Sequence, residues 1–302
     1  MNKSMRYRIF ALLLVLIFFG ALAIFKVSPI KAQSVSSIII NPGGSITGTT
    51  AIVQSGNIYT FIANITGNLE VQTSNIVING SGYWLNGNGG VGFDLNDLNS
   101  YATVSVTNIT IENLYVDNCA FGISSDGGSR NNFFDDEFSN CSSGAAIRLM
   151  DCSYNNISYC NFDNESQISM DYSANFNLVT ECNLPPYGVL VWISGSETVD
   201  RNYWSDYLTK YSNATEVDHS GVGDQAYVYY SVQNISPDGT KTTITYQDNH
   251  PLMKPVAIPL MGSKPQTKIS EFSSMLLIGP LLLSMLPIAM LLRHRKTSNL
   301  RK

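Results

Sequence analysis

Asp135, Asp136 and Glu137 form the longest run of acids in the sequence. Glycoside cleavage needs two carboxylates about 5 to 10 Å apart, and this run could supply such a pair. Arg148 is a candidate basic partner, so a polysaccharide lyase or hydrolase is one reading of the set. Solvated corner acids are the plainer one. A second set, Asp218, Ser220 and Asp224, sits in a Gly-containing loop. Alternating oxygen ligands with turns is how a calcium loop is built. His219 and Val222 dilute that pattern, so a solvated turn competes with it. The five cysteines show no Cys-x-x-Cys spacing and make a weak metal signal. Tyr115, Tyr159, Tyr172, Tyr187 and Tyr203 could stack on sugar rings, but they share no single stripe.

What would position these side chains is a repeat between residues 109 and 192. Apolar anchors Ile111, Phe133, Ile157 and Val179 are spaced 22, 24 and 22 residues apart. A second apolar residue follows each by five positions: Val116, Phe138, Phe162 and Leu184. Asn131, Asn155 and Asn177 precede the last three anchors by two, and Asn118, Asn140 and Asn164 follow the first three by seven. Strands this short cannot bury a face alone. Stacking equivalent strands about 4.8 Å apart turns the anchors into continuous inward columns. A third, looser wall falls at Ile123, Ile147–Leu149, Ile168–Met170 and Val189–Val191. Asn suits the corners, because it tolerates left-handed backbone and bonds locally, and stacked Asn side chains can also hydrogen-bond along a ladder. The spacing predicts an all-β chain, a right-handed parallel β-helix.

That register tests the chemistry. Asp135 and Glu181 share a position with Tyr159 between them, and Asp117 and Asp163 share another with Ser139 between them. No two acids of these coils stack directly, no His lies in them, and Asp136 takes the position of Leu114, Cys160 and Cys182. Catalysis is therefore the less favoured reading. Cys119 and Cys141 are also equivalent, as are Cys160 and Cys182, at a spacing a disulfide tolerates. Two bridges and a ladder of buried thiols both remain open, with Cys152 left over.

The ends carry membrane signals. Lys3, Arg6 and Arg8 precede an apolar run from Ile9 to Phe25. Residues 1–32 read as a secretory signal or an uncleaved anchor. Met275 to Leu292 is 18 residues without a charge, long enough to span a bilayer. The basic tail 293–302 would lie in the cytoplasm. Between these ends, residues 33–206 are expected to form the β-helix, 207–262 a β-rich cap and 263–274 a linker. Residues 33 to 262 hold 22 of the 23 acids and six bases, a net charge of −16. Such a body repels phosphate and argues against nucleic acid as a partner. The expected address is the cell surface, with the body outside and the C-terminal helix in the membrane. Asn-x-Ser/Thr sequons at Asn64, Asn79, Asn108, Asn140, Asn156, Asn164, Asn213 and Asn234 are candidate glycan acceptors there.

The opening coil Asn75-Ile-Val-Ile-Asn-Gly-Ser-Gly-Tyr83, the motif Asn202-Tyr-Trp-Ser-Asp-Tyr207 and the closing run Asp248-Asn-His-Pro-Leu-Met-Lys-Pro255 are distinctive. Together they resemble right-handed parallel β-helix proteins of the periplasmic copper-binding family, similar to the accessory protein for nitrous oxide reductase maturation. The resemblance covers about residues 50 to 255. It implies a surface location, as in archaeal relatives, and copper as a cofactor to consider. Copper wants clustered His, Met or Cys. The body offers His219, His250 and dispersed Met150, Met170, Met253 and Met261, so copper is not expected. Ile269-Ser-Glu-Phe-Ser273 is similar to archaeal C-terminal sorting signals, with Ser270 where their motif has proline. The sequence thus points to a surface module for structure, adhesion or glycan binding. Its alternatives are a carbohydrate-active enzyme and a copper-binding maturation accessory. The partners it suggests are the membrane, surface glycans and other surface proteins.

Overall fold

The computed structural model describes residues 37–96, 105–191, 196–235 and 241–258, the last two segments without the side chains of 231–235 and 241–244. The expected signal or anchor, the linker, the sorting-type motif, the span 275–292 and the tail lie outside these residues. Among the described residues no helix is long and apolar enough to cross a membrane.

The chain winds as a right-handed parallel β-solenoid of about six turns. Each coil contributes one strand to each of three walls. The first wall runs Ile58–Phe61, Val77–Asn79, Thr110–Glu112, Asn132–Phe134, Asn156–Ser158, Leu178–Thr180 and Thr198–Asp200. The second runs Ile65–Thr66, Trp84–Asn86, Tyr115–Asp117, Glu137–Ser139, Asn161–Phe162, Asn183–Leu184 and Tyr203–Trp204. The third runs Leu69–Val71, Val91–Asp94, Phe121–Asp126, Ala145–Met150, Ile168–Asp171 and Val189–Val191.

The expected register holds. Ile111 pairs with Phe133, Phe133 with Ile157 and Ile157 with Val179. Val116 pairs with Phe138, and Phe138 with Phe162. These residues are buried and form one continuous core. Phe138 and Phe162 stack at 5.0 Å and 8°. Such offset aromatic contacts add to burial as the source of stability.

The asparagines divide between the two expected roles, corner and ladder. Asn118 and Asn140 do sit at left-handed corners. Asn131, Asn155 and Asn177 do not; they point inward and are buried. Each accepts from the backbone of the coil below: Ile109 N to Asn131 Oδ1 at 3.0 Å, Asn131 N to Asn155 at 2.9 Å, and Asn155 N to Asn177 at 2.9 Å. The ladder ends on Glu197, whose carboxylate accepts from Asn177 N at 2.7 Å. A turn at that corner would otherwise bury an unpaired N–H in every coil.

Both ends of the stack are covered, which removes open strand edges. At the start, Ile46–Thr47 and Ile52–Ser55 run antiparallel to their neighbours. Ile38–Ile40 extends the third wall in parallel beside Leu69–Val71, and the first full coil begins at Ile58. At the other end come a short helix, Tyr207–Lys210, and an antiparallel hairpin, Tyr227–Ile235 with Lys241–Asp248. Trp204 stacks on Tyr227 at 4.3 Å and on Tyr229 at 5.5 Å. Asp248 is buried and accepts from Arg201 N, Asn202 N and Trp204 Nε1 at 2.8 to 3.1 Å. It occupies the place the next coil's Asn would take.

Candidate functional site

Each coil passes from the third wall to the first through a corner residue with positive φ. In successive coils that residue is Asn75, Asn108, Arg130, Tyr154 and Phe176, with φ between 56° and 63°. The preceding residues hold the column together, Ser129 bridging Ser153 and Ser153 bridging Asn175. Asn adopts this conformation at little cost, and Asn108 Nδ2 donates to Asn75 Oδ1 at 2.9 Å. Large side chains at positive φ are uncommon and strained. Nothing in the backbone asks for Arg, Tyr and Phe in the upper three coils.

These side chains also face solvent. Tyr154 is 57% exposed and Phe176 52%, yet their rings stack on one another at 5.2 Å and 12°. Arg130 is exposed, and among the described residues it has no acid within ion-pair distance. Tyr172, 57% exposed, belongs to the same wall-to-wall connection, beside Asp151, which accepts from Ser173 N at 3.1 Å. The result is a ledge along the solenoid axis, with two stacked rings, a guanidinium and amide groups at one-coil intervals.

The corner between the first and second walls is a useful contrast. Its positive-φ residues include Asp135, Tyr159, Glu181 and Arg201. There Arg201, Glu181 and Tyr159 satisfy one another. Arg201 lies 3.8 Å from Glu181, and the Tyr159 hydroxyl bonds Glu181, which raises the tyrosine's pKa. Asp135 is mostly buried, with one carboxylate oxygen lacking a partner. Burial, and then Glu112, push its pKa up.

The sequence candidates do not converge. Asp136 faces the interior and is fully buried; Leu114 N donates to it at 3.0 Å, while its other oxygen has no partner. Burial first, then Cys160, raises its pKa well above the usual range. No polymer reaches that carboxyl, so Asp136 cannot act on one. Glu137 lies on the second wall. Arg148 is on the third, 4.0 Å from Asp171 and 5.2 Å above the Phe121 ring. In the loop, both Asp224 oxygens accept from Thr215, the Ser220 hydroxyl donates to Val217 O, and Asp218 and His219 take positive φ. Its oxygens serve the turn itself. Among the described residues no three His, Cys, Asp or Glu side chains gather as a metal site. All five cysteines are buried thiols. Of the sequons, Asn64, Asn108, Asn140, Asn164 and Asn213 are exposed, and Asn79 and Asn156 are half-buried; the Asn234 side chain lies outside the description.

Sequence reasoning missed two features. Of the expected sugar platforms Tyr115 is buried while Tyr172 and Tyr187 are exposed; Tyr154 and Phe176 are exposed rings that the sequence reading did not name. The signal was present, since each stands immediately before an inward Asn. The second is a stacked acid pair outside the regular coils: Glu70 and Asp94 are direct partners on the third wall. Asp94 is buried, and its pKa is raised by burial more than by Glu70.

Compared with protein-family models, curated proteins and solved structures, the chain finds no match. The copper-binding and archaeal-surface expectations therefore rest on the sequence motifs alone.

Proposed function

We propose that this protein is a membrane-anchored, extracellular β-helix that binds carbohydrate chains at the cell surface, in adhesion or surface structure. The observation that carries the reading is the exposed Tyr154–Phe176 stack, kept at strained positive φ one coil above Arg130. An aromatic face attracts the polarised C–H face of a pyranose, and it loses little side-chain entropy in doing so. Coils about 4.8 Å apart offer one ring or polar group per step, a spacing suited to a polymer lying along the axis. The surface address is supported by the basic and apolar start, the apolar run before a basic tail, and the exposed sequons.

The test is affinity electrophoresis and calorimetry over a panel of neutral and acidic polysaccharides. Wild type should bind at least one, and Tyr154→Ala/Phe176→Ala should lose that binding while remaining folded. Retained affinity in the folded double variant sinks the ledge reading.

A second reading, a surface carbohydrate-active enzyme, is favoured by the Glu70–Asp94 pair. Partners on adjacent strands lie near the roughly 5 Å separation of a retaining glycosidase pair. It requires release of reducing ends from one of the same polysaccharides, abolished in Asp94→Asn.

A further inference from the structure

Cys119 and Cys141 stand two residues after register partners, Asp117 and Ser139. Their thiols make the same local bond, Cys119 Sγ to Asp117 O at 3.3 Å and Cys141 Sγ to Ser139 O at 3.5 Å. Equivalent residues one coil apart have Cα atoms about 4.8 Å apart, within the roughly 4.4 to 6.8 Å that a disulfide spans. The two thiols also influence each other: Cys141 holds the Cys119 thiol below its ordinary pKa, while Cys119 and burial push Cys141 up. The thiolate is the nucleophilic and oxidisable form, and Cys119 is the sulfur with glycine backbone beside it, at Gly87 and Gly92.

Its cover is thin. A Cβ placed on Gly87 would come 2.5 Å from Cys119 Sγ, and one on Gly92 3.2 Å. Glycine backbone thus makes room for the sulfur, beneath the exposed turn 88–90. Cys160 and Cys182 are matched in the same way, following Ser158 and Thr180. Both are completely buried, and burial is the first cause of the raised Cys160 pKa. Cys152 is buried and bonds Met150 O at 3.0 Å.

We propose that Cys119 and Cys141 are an oxidation site, closing to an inter-coil disulfide under a peroxide, while Cys152, Cys160 and Cys182 stay reduced. The Cys119 thiolate attacks a peroxide oxygen and the O–O bond breaks. Sulfenic acid forms on Cys119, and the released hydroxide takes up the thiol proton as water. The Cys141 sulfur then attacks the Cys119 sulfur, the S–O bond breaks, and the hydroxyl leaves with the Cys141 proton as a second water. Two thiols are oxidised and one peroxide is reduced to two waters. The product ties two neighbouring coils covalently.

The test uses the full chain, purified under reductant, freed of it and treated with hydrogen peroxide. Thiols are alkylated after denaturation and mapped without reduction. The expected result is a loss of about 2 Da, a single Cys119–Cys141 linked peptide, and alkylation of the other three cysteines. The melting temperature should rise by roughly 10 °C. Cys152→Ser should keep the link and Cys119→Ser should abolish it. Should Cys119→Ser not fold, the wild-type peptide map decides alone. Alkylation of all five thiols after peroxide, or a link through Cys160–Cys182, overturns the proposal.

Discussion

The side-chain oxygen of Asn177 accepts two hydrogen bonds from Asn155 one coil below, from its backbone N–H and from its Nδ2, both at 2.9 Å. The Asn177 amide in turn donates to Cys152 O at 3.0 Å. Each inward Asn therefore does the work of a piece of backbone, closing the ladder where the chain turns between walls. Asn177→Ala leaves buried donors without acceptors, each worth about 1 to 3 kcal/mol. It is expected to destabilise the fold by about 3 kcal/mol in urea unfolding, and an unchanged midpoint would refute that role.

Asp248 closes the second inward ladder, with five donors converging on its buried carboxyl, including His250 N at 3.0 Å. Asp248→Ala should cost about 3 to 5 kcal/mol, because it strips these partners at once. Hydrogen exchange should localise the loss to Asn202, Trp204 and the Tyr227–Ile235 strand, ahead of the middle coils.

Asp136 gives a pH dependence of definite sign. Its folded pKa is raised by burial, so folding favours the protonated acid. Its penalty is absent below the ordinary Asp pKa and grows as pH rises above it. Asn202 fills the equivalent position two coils beyond Cys160, accepting from Cys182 N and donating to Val179 O. Asp136→Asn should therefore stabilise the protein at pH 7 by about 1 to 3 kcal/mol, with the gain shrinking towards pH 3. Melting curves across that range measure it; a constant difference would contradict the assignment.

The ledge separates stability from binding. Asn is at ease at positive φ and Tyr and Phe are not, so Tyr154→Asn and Phe176→Asn should each hold or raise stability, by up to about 1 kcal/mol. The same changes should cut polysaccharide affinity by at least tenfold, the loss of about 1.4 kcal/mol. A matched loss of stability and affinity would instead make the rings structural.

The sequence by itself determined the coil. Ile111, Phe133, Ile157 and Val179 recur at one period because a stack repeats its core at each step, and repetition survives translation into a linear string. It also placed Asp136 in line with Leu114 and Cys160, although not that the carboxyl is sealed inside. What only the tertiary structure decided is which side each corner residue takes. Ser153 and Tyr154 both turn out although they are neighbours, because the left-handed Tyr154 breaks the strand's alternation, and Asn155 then turns in. Glu70 and Asp94 became partners only when the irregular early coils were wound, since the loop lengths that bring them level follow no fixed period. Exposure, pairing and burial belong to the wound chain, and on them the ledge and the acid pair both depend.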